Sequence, residues 1–264
     1  MTLGICKLCG DEKELQRSHV IGKTVFSKIL KESIGNYLVD ISVNNQKISK
    51  SNDTWDSKLL CKECESFFNR KYENYSVYVL RKKQNGVQTI EGNHGIYFRN
   101  VDQIRIILYL CSIYWRAAHS THKAYEGVRI TNELSHYLAY VFKGKFNLNA
   151  KVFSARIRLI ADESKTFTDD RIKMIVSPYF RFKGKGFVFC MAYEGYFFEL
   201  FFNASNFKER QQPGFLNKAI SSFFVPKVDL IDLPAIAMNL AQGIEIHQAL
   251  PDEEKIKILR AREV

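Results

Sequence analysis

Two short stretches restrict what this chain can fold into more than any other feature. Residues 6–9 read CKLC, followed by Gly10, and residues 61–64 read CKEC at the head of a helix-like run. Each Cys-x-x-Cys spacing lets two thiolates face one ion across a tight turn. Gly10 relieves the backbone where the first turn reverses. The second pair lies at the start of a helix, where the N-terminus favours negative sulfur. Cys6, Cys9, Cys61 and Cys64 thus supply the four ligands of a tetrahedral structural zinc site. Redox dithiols of this spacing come singly within a βαβ pattern, which the chain lacks. The other two of the six cysteines, Cys111 and Cys190, stand in ILYLCSIYW and GFVFCMAY. They read as small buried hydrophobes.

The 264 residues are 46 % hydrophobic and include 20 phenylalanines, which suits one large folded domain or two modest ones. No apolar run reaches the roughly 20 residues of a membrane span. The N-terminal MTLGICKLCGDEKE lacks a secretory apolar core, so a cytoplasmic protein without a membrane partner is expected. The net charge of +11 divides into +5 over residues 1–83, +9 over 84–227 and −3 over 228–264. A field of that sign favours polyanions, nucleic acid first among them.

Apolar periodicity at Phe68, Tyr72, Tyr75 and Val79 predicts a helix over 59–83, closed by the basic turn RKKQNG. Residues 31–58 read as a loop or as a hairpin of NYLVDISV with NQKISK. A boundary is expected near 83–96, dividing a module of residues 1–85 from a helix-then-sheet domain of residues 86–264. Helices are expected over 101–123 and 129–143, the latter with Thr131 as N-cap. Beyond Gly144, the segments KVFSARIRLIAD, RIKMIVSPYFRF, GFVFCMAYEG and YFFELFFN have strand composition. YEGY predicts a hairpin between the last two. Residues 207–243, with Pro213, Pro226 and Pro234, read as irregular, and a short helix is expected after Pro251. The fold class is therefore α+β, with the β-rich part antiparallel.

The order CKLCG, then His19 in RSHVIGK, then LLCKEC resembles the HNH nuclease family, in its subset braced by zinc on four cysteines. The resemblance covers residues 4–75, about a quarter of the chain. It implies a treble-clef ββα-metal unit in which two strands present a histidine and one helix presents ligands. It implies His19 as the general base that activates water, Asp56 near the residue that orients it, and Glu65 and Asn69 as ligands of a catalytic Mg²⁺ or Mn²⁺. Glu73 falls one helical turn further on. Ser18 stands where the family has an acidic ligand, Glu65 where it has His or Asn, and Gly22 near its proline. HNH modules of this kind occur in phage, mobile-element and defence proteins. Arg17 and Lys23 beside the histidine, and Arg81, Lys82 and Lys83 at the helix end, are expected to meet phosphates, of DNA before RNA. The departures keep a second reading open: a zinc-braced factor that binds nucleic acid or protein without catalysis.

Elsewhere, His119 and His122 read as polar residues at the wet end of an apolar helix, and His94, His136 and His247 have no partner in sequence. Basic turns at Lys143, Lys145 and Lys151 and at Arg181, Lys183 and Lys185 are candidate phosphate contacts. Tyr179, Phe180 and Phe182 interleave with the second set, as core or as base-stacking rings. The second domain is expected to serve recognition or assembly, through a protein partner or a second copy.

Overall fold

The computed structural model describes residues 2–33, 35–43 and 46–249, the last four by their backbone alone. The helix expected after Pro251 lies outside the described residues. The chain opens with β1 (Leu3–Ile5), β2 (Glu12–His19), α1 (Lys23–Glu32), β3 (Leu38–Ser42), β4 (Lys47–Ser51) and β5 (Asp56–Cys61). Next come α2 (Lys62–Phe68), a π-turn (Asn69–Glu73) and α3 (Asn74–Leu80). They are followed by β6 (Gln88–Gly92), β7 (Gly95–Arg99), α4 (Gln103–His119) and α5 (Asn132–Phe142). The rest is β8 (Phe153–Ala161), α6 (Asp169–Lys173), β9 (Ile175–Lys183), β10 (Gly186–Tyr193), β11 (Tyr196–Phe202), β12 (Phe223–Asp229) and α7 (Pro234–Ala249).

Strands β1, β2 and β5 form a small antiparallel sheet. The other nine form one sheet in the order β4-β3-β9-β10-β11-β8-β12-β7-β6. This sheet is mixed, not antiparallel as composition suggested, because β3 pairs parallel with β9 and β12 parallel with β8. The first of these pairings carries the β3–β4 hairpin, from the N-terminal third of the chain, onto the edge of the large sheet.

Strands β10 and β11 are apolar at nearly every position because both faces are covered. On one face Tyr114 of α4 meets Phe202 at 4.6 Å and Phe189 at 5.5 Å between ring centroids. On the other, Tyr179 and Phe197 join Ile236 and Leu240 of α7 in a second core. The YEGY hairpin forms as expected, with Tyr193 opposite Tyr196 and both Glu194 (φ 48°) and Gly195 (φ 78°) left-handed. Thr131 caps α5 by accepting from the Leu134 N–H at 3.3 Å. Cys111 and Cys190 are fully buried.

Of residues 207–243, expected to be irregular, 207–222 are turns and a short 3-10 turn, whereas 223–243 contain β12 and the start of α7. The prolines that suggested otherwise occupy positions where a missing N–H costs little. Pro226 sits where β12 leaves its antiparallel partner β7 and begins its parallel ladder with β8 at Lys227. Pro234 opens α7, where the first N–H has no helical partner. The β6–β7 hairpin also forms within the expected linker. Packing continues past residue 85: one buried cluster runs from Cys6 to Val225, with Phe68 of α2 against Phe142 of α5 at 5.1 Å.

Candidate metal centre and adjoining histidine site

The first site is built by a turn and a strand-to-helix junction. The Cys6 carbonyl accepts the Gly10 N–H at 2.9 Å, closing the knuckle, and Gly10 takes φ 86°. Strand β5 runs directly into α2, so Cys61 ends one element and Cys64 sits in the first turn of the next. The four sulfurs lie within 4.8 Å of one another. Tetrahedral Zn–S bonds of about 2.3 Å place sulfurs about 3.8 Å apart, so the cluster fits a metal ion such as zinc. All four cysteines are free thiols. Burial pushes Cys6 up, but the N–H groups of Cys9, Cys61 and Leu8 outweigh it and bring the thiol down to about 7. Burial pushes Cys61 up to about 11, and burial with the Cys61 and Cys6 thiols pushes Cys64 higher still. Four crowded sulfurs resist ionising together unless a cation neutralises them.

The second site adjoins it on the same elements. In the β2–β5 ladder Ser18 faces Ser57 and His19 faces Asp56. Alternation along β2 sends these neighbours to opposite faces. Ser18 points inward and is fully buried, toward the carboxyl group of Glu65 on α2. The hydroxyl lowers that carboxyl, but neither Ser18 Oγ nor Glu65 Oε2, both buried, has a partner in full hydrogen-bonding geometry among the described residues. Burial pushes the Glu65 carboxyl up, against the pull of Arg116 and Ser18.

His19, on the other face, is half-buried beside Phe26. Its Nε2 lies 3.2 Å from Thr54 Oγ1. Burial holds its pKa below the ordinary value, with Lys23, Arg116 and Arg17 pushing the same way and Asp56 opposing. At neutral pH the ring is therefore neutral, the form that accepts a proton. Thr54 belongs to a tight loop in which Asp53 Oδ1 accepts the Trp55 N–H at 3.0 Å. Trp55 is fully buried in a left-handed conformation (φ 51°), a strained choice for a large residue.

Arg116 of α4 ties this region to the rest of the chain. It is fully buried, donates to the His19 carbonyl at 2.7 Å, and pairs with Glu73 Oε2 at 3.3 Å. Glu73 ends the π-turn, whose wide turn is closed by Asn74 N–H donating to the Asn69 carbonyl. Its carboxylate lies over Gly22, where a Cβ would come within 1.8 Å of Glu73 Oε1. Sequence reasoning passed over Arg116 and Thr54. The signal for Arg116 was one arginine inside the apolar run ILYLCSIYWRAAH, since such a residue is buried only when paired.

Several expected residues have other occupations. Asp56 does not bond His19; its carboxylate is held by Arg17 at 2.9 and 2.6 Å, and Thr54 is the ring's partner. Asn69 begins the π-turn, and the Glu73 charge, one turn further on, adds to the rise of Glu65. Arg81, expected to meet phosphate, has its guanidinium 12 % exposed and bound to Glu194 and the Thr24 carbonyl. Lys82 pairs with Glu91 at 2.6 Å, while Lys23 and Lys83 are exposed. His119 and His122 share no helix face, because α4 stops at His119. His119 Nε2 meets Ser135 Oγ at 2.8 Å, and His122 bonds Asp53 at 2.9 Å. Tyr179 is core, whereas Phe182 is 89 % exposed. Among the described residues, the four cysteines are the one group of three or more Cys, His, Asp or Glu side chains spaced to hold a metal.

Set against protein-family models, curated proteins and solved structures, the chain matches none.

Proposed function

We propose that the chain is a zinc-braced, HNH-type nuclease that hydrolyses phosphodiester bonds of nucleic acid, DNA before RNA. In this reading residues 1–85 form a treble-clef ββα-metal unit whose structural zinc sits on Cys6, Cys9, Cys61 and Cys64. One observation carries it: Ser18 Oγ and Glu65 Oε2 are buried with no partner in full hydrogen-bonding geometry among the described residues, and the next residue along β2 is His19, whose pKa burial lowers.

Two such oxygens suit a hard divalent ion, which keeps water and substrate phosphate as its other ligands. Glu65 and Ser18, with Asn69 one turn along, would hold Mg²⁺ or Mn²⁺; the ion would supply positive charge against the phosphate. His19 removes the proton from the attacking water. Thr54 fixes the ring through Nε2, and Arg116 fixes the backbone through the His19 carbonyl. Arg17 and Lys23 add positive charge next to the base.

The test is plasmid nicking with Mg²⁺ or Mn²⁺. His19→Ala is expected to lower the rate by about 10²- to 10⁴-fold, the usual contribution of a general base. Glu65→Gln should lower it and raise the metal concentration required. Wild-type protein that cuts neither DNA nor RNA with any divalent ion would remove the enzyme reading.

A second reading is favoured by the pairing of Asp56 with Arg17 and by the lack of a second three-ligand cluster among the described residues. It is a non-catalytic zinc-braced binding factor. Salt-sensitive binding that survives His19→Ala, with no cutting by the wild type, identifies it.

A further inference from the structure

A cleft of about 210 Å³ opens where the π-turn, the start of α4 and the chain after α5 meet, with Lys71, Leu108, Phe146 and Lys218 in its wall. It is smaller than the ~300 Å³ of a drug-sized ligand site and suits a single ring of a longer molecule. Phe146 is 54 % exposed and Tyr140 is 43 % exposed. These rings are held in place: Phe146 stacks on Tyr137 at 6.3 Å and 21°, and Tyr137 stacks on Phe153 at 5.7 Å and 13°. A large apolar ring fixed at the surface presents a ready face to a planar partner.

The charged side chains that line the cleft, Lys71 and Lys218, are both lysines. No Asp or Glu occurs between Glu133 and Asp162. Lys143, Lys145 and Lys151 are exposed on the chain beside it, and Lys71 and Lys218 line the cleft itself. Lys145 Nζ lies 5.4 Å over the Tyr140 ring. Cations flanking exposed, rigid aromatic rings match a chain that alternates phosphates with planar bases. In a duplex the base faces cover one another and cannot stack on Phe146. An acidic peptide without aromatic side chains would satisfy the lysines but not the ring.

We propose that this cleft binds an unpaired polynucleotide strand, with a base against Phe146 and phosphates along Lys143, Lys145 and Lys218. It deepens the nuclease reading by naming the strand state of the substrate, and binding can be measured without cleavage. The same stretch of chain serves both places, since Glu65 faces Ser18 while Lys71 and Tyr72 line the cleft.

The test is fluorescence anisotropy on the full chain with a labelled oligothymidylate, a duplex of equal length, and polyglutamate as competitor. The oligothymidylate should bind more tightly than the duplex and resist polyglutamate. Phe146→Ala should weaken it by about tenfold, and Phe146→Tyr should restore it. Lys143→Gln with Lys145→Gln should reduce the salt slope by about 1.4, two phosphate contacts' worth on a single strand. Melting curves confirm that these surface variants fold. Equal affinity for duplex, displacement by polyglutamate, or indifference to Phe146→Ala in a folded variant overturns the proposal. Phe146-dependent binding without cutting keeps the cleft and removes the nuclease; cutting without Phe146 dependence does the reverse.

Discussion

Arg116 is a cation with no exposed surface, and its one carboxylate partner in hydrogen-bonding range among the described residues, Glu73, is 5 % exposed. Each charge makes the other tolerable there, because removing one leaves the other uncompensated in a poorly solvating interior. Arg116→Met is expected to cost about 3–5 kcal/mol in urea unfolding. Adding Glu73→Gln should cost less than the sum of the two single changes, since they share one interaction. Gly22→Ala should destabilise by about 1–3 kcal/mol, because its methyl group would displace a carboxylate that the ion pair holds still. His119 gives a pH signature. Burial, with Lys7 adding repulsion, depresses its pKa in the folded chain, so the unfolded chain binds its proton first as pH falls. The resulting stability is present above the unfolded value of about 6.5 and lost as pH falls through the folded value. The melting temperature should therefore drop on the acid side of neutrality, and His119→Gln should flatten that drop.

Among elements, the segment from β5 to α3 carries the most. It delivers two cysteines at a strand-to-helix junction, then Glu65, and then widens into a π-turn that leaves Glu73 inward-facing and paired to Arg116. Periodicity in the sequence predicts one uninterrupted helix, and it identified the buried positions Phe68, Tyr72 and Val79 correctly. The π-turn escaped it because an extra backbone residue in a turn leaves no mark on side-chain type. In the zinc-braced reading, Cys61→Ser should abolish the roughly one zinc per chain expected from metal analysis and lower the melting temperature. A strong chelator should do the same to the wild type. A metal-free wild type with an unchanged melt would contradict this. Strand β12 makes a similar point: composition alone reads Pro226 as a strand breaker, yet the proline occupies the one step between two ladders.

Across the whole molecule, α4 is the shared wall. Tyr114 packs into the nine-stranded sheet, while Trp115 and Arg116, the next residues along, meet Phe68, Glu73 and the His19 carbonyl. The β3–β4 hairpin adds a second tie by pairing with β9. Residues 1–85 made alone, with zinc, should lack a cooperative melt and expose apolar surface to a hydrophobic dye, because Phe68 and Tyr72 lose Phe142 and Trp115. The full chain should unfold in one transition. A cooperatively melting fragment would show that the module stands by itself.

The sequence by itself determined the cysteine cluster, the helices α4 and α5, and the strands from β8 to β11. Each rests on local physics: ligand spacing, amphipathic period, or the turn chemistry of glycine and asparagine-like positions. Only the tertiary structure decided that Thr54 rather than Asp56 bonds His19, and that Arg81 is spent on Glu194. It also decided that a hairpin from residues 38–51 completes a sheet built largely from residues beyond 150. Those outcomes depend on which distant groups arrive at a shared surface. Short-range residue patterns set what each segment can do; long-range packing selects the partner it meets.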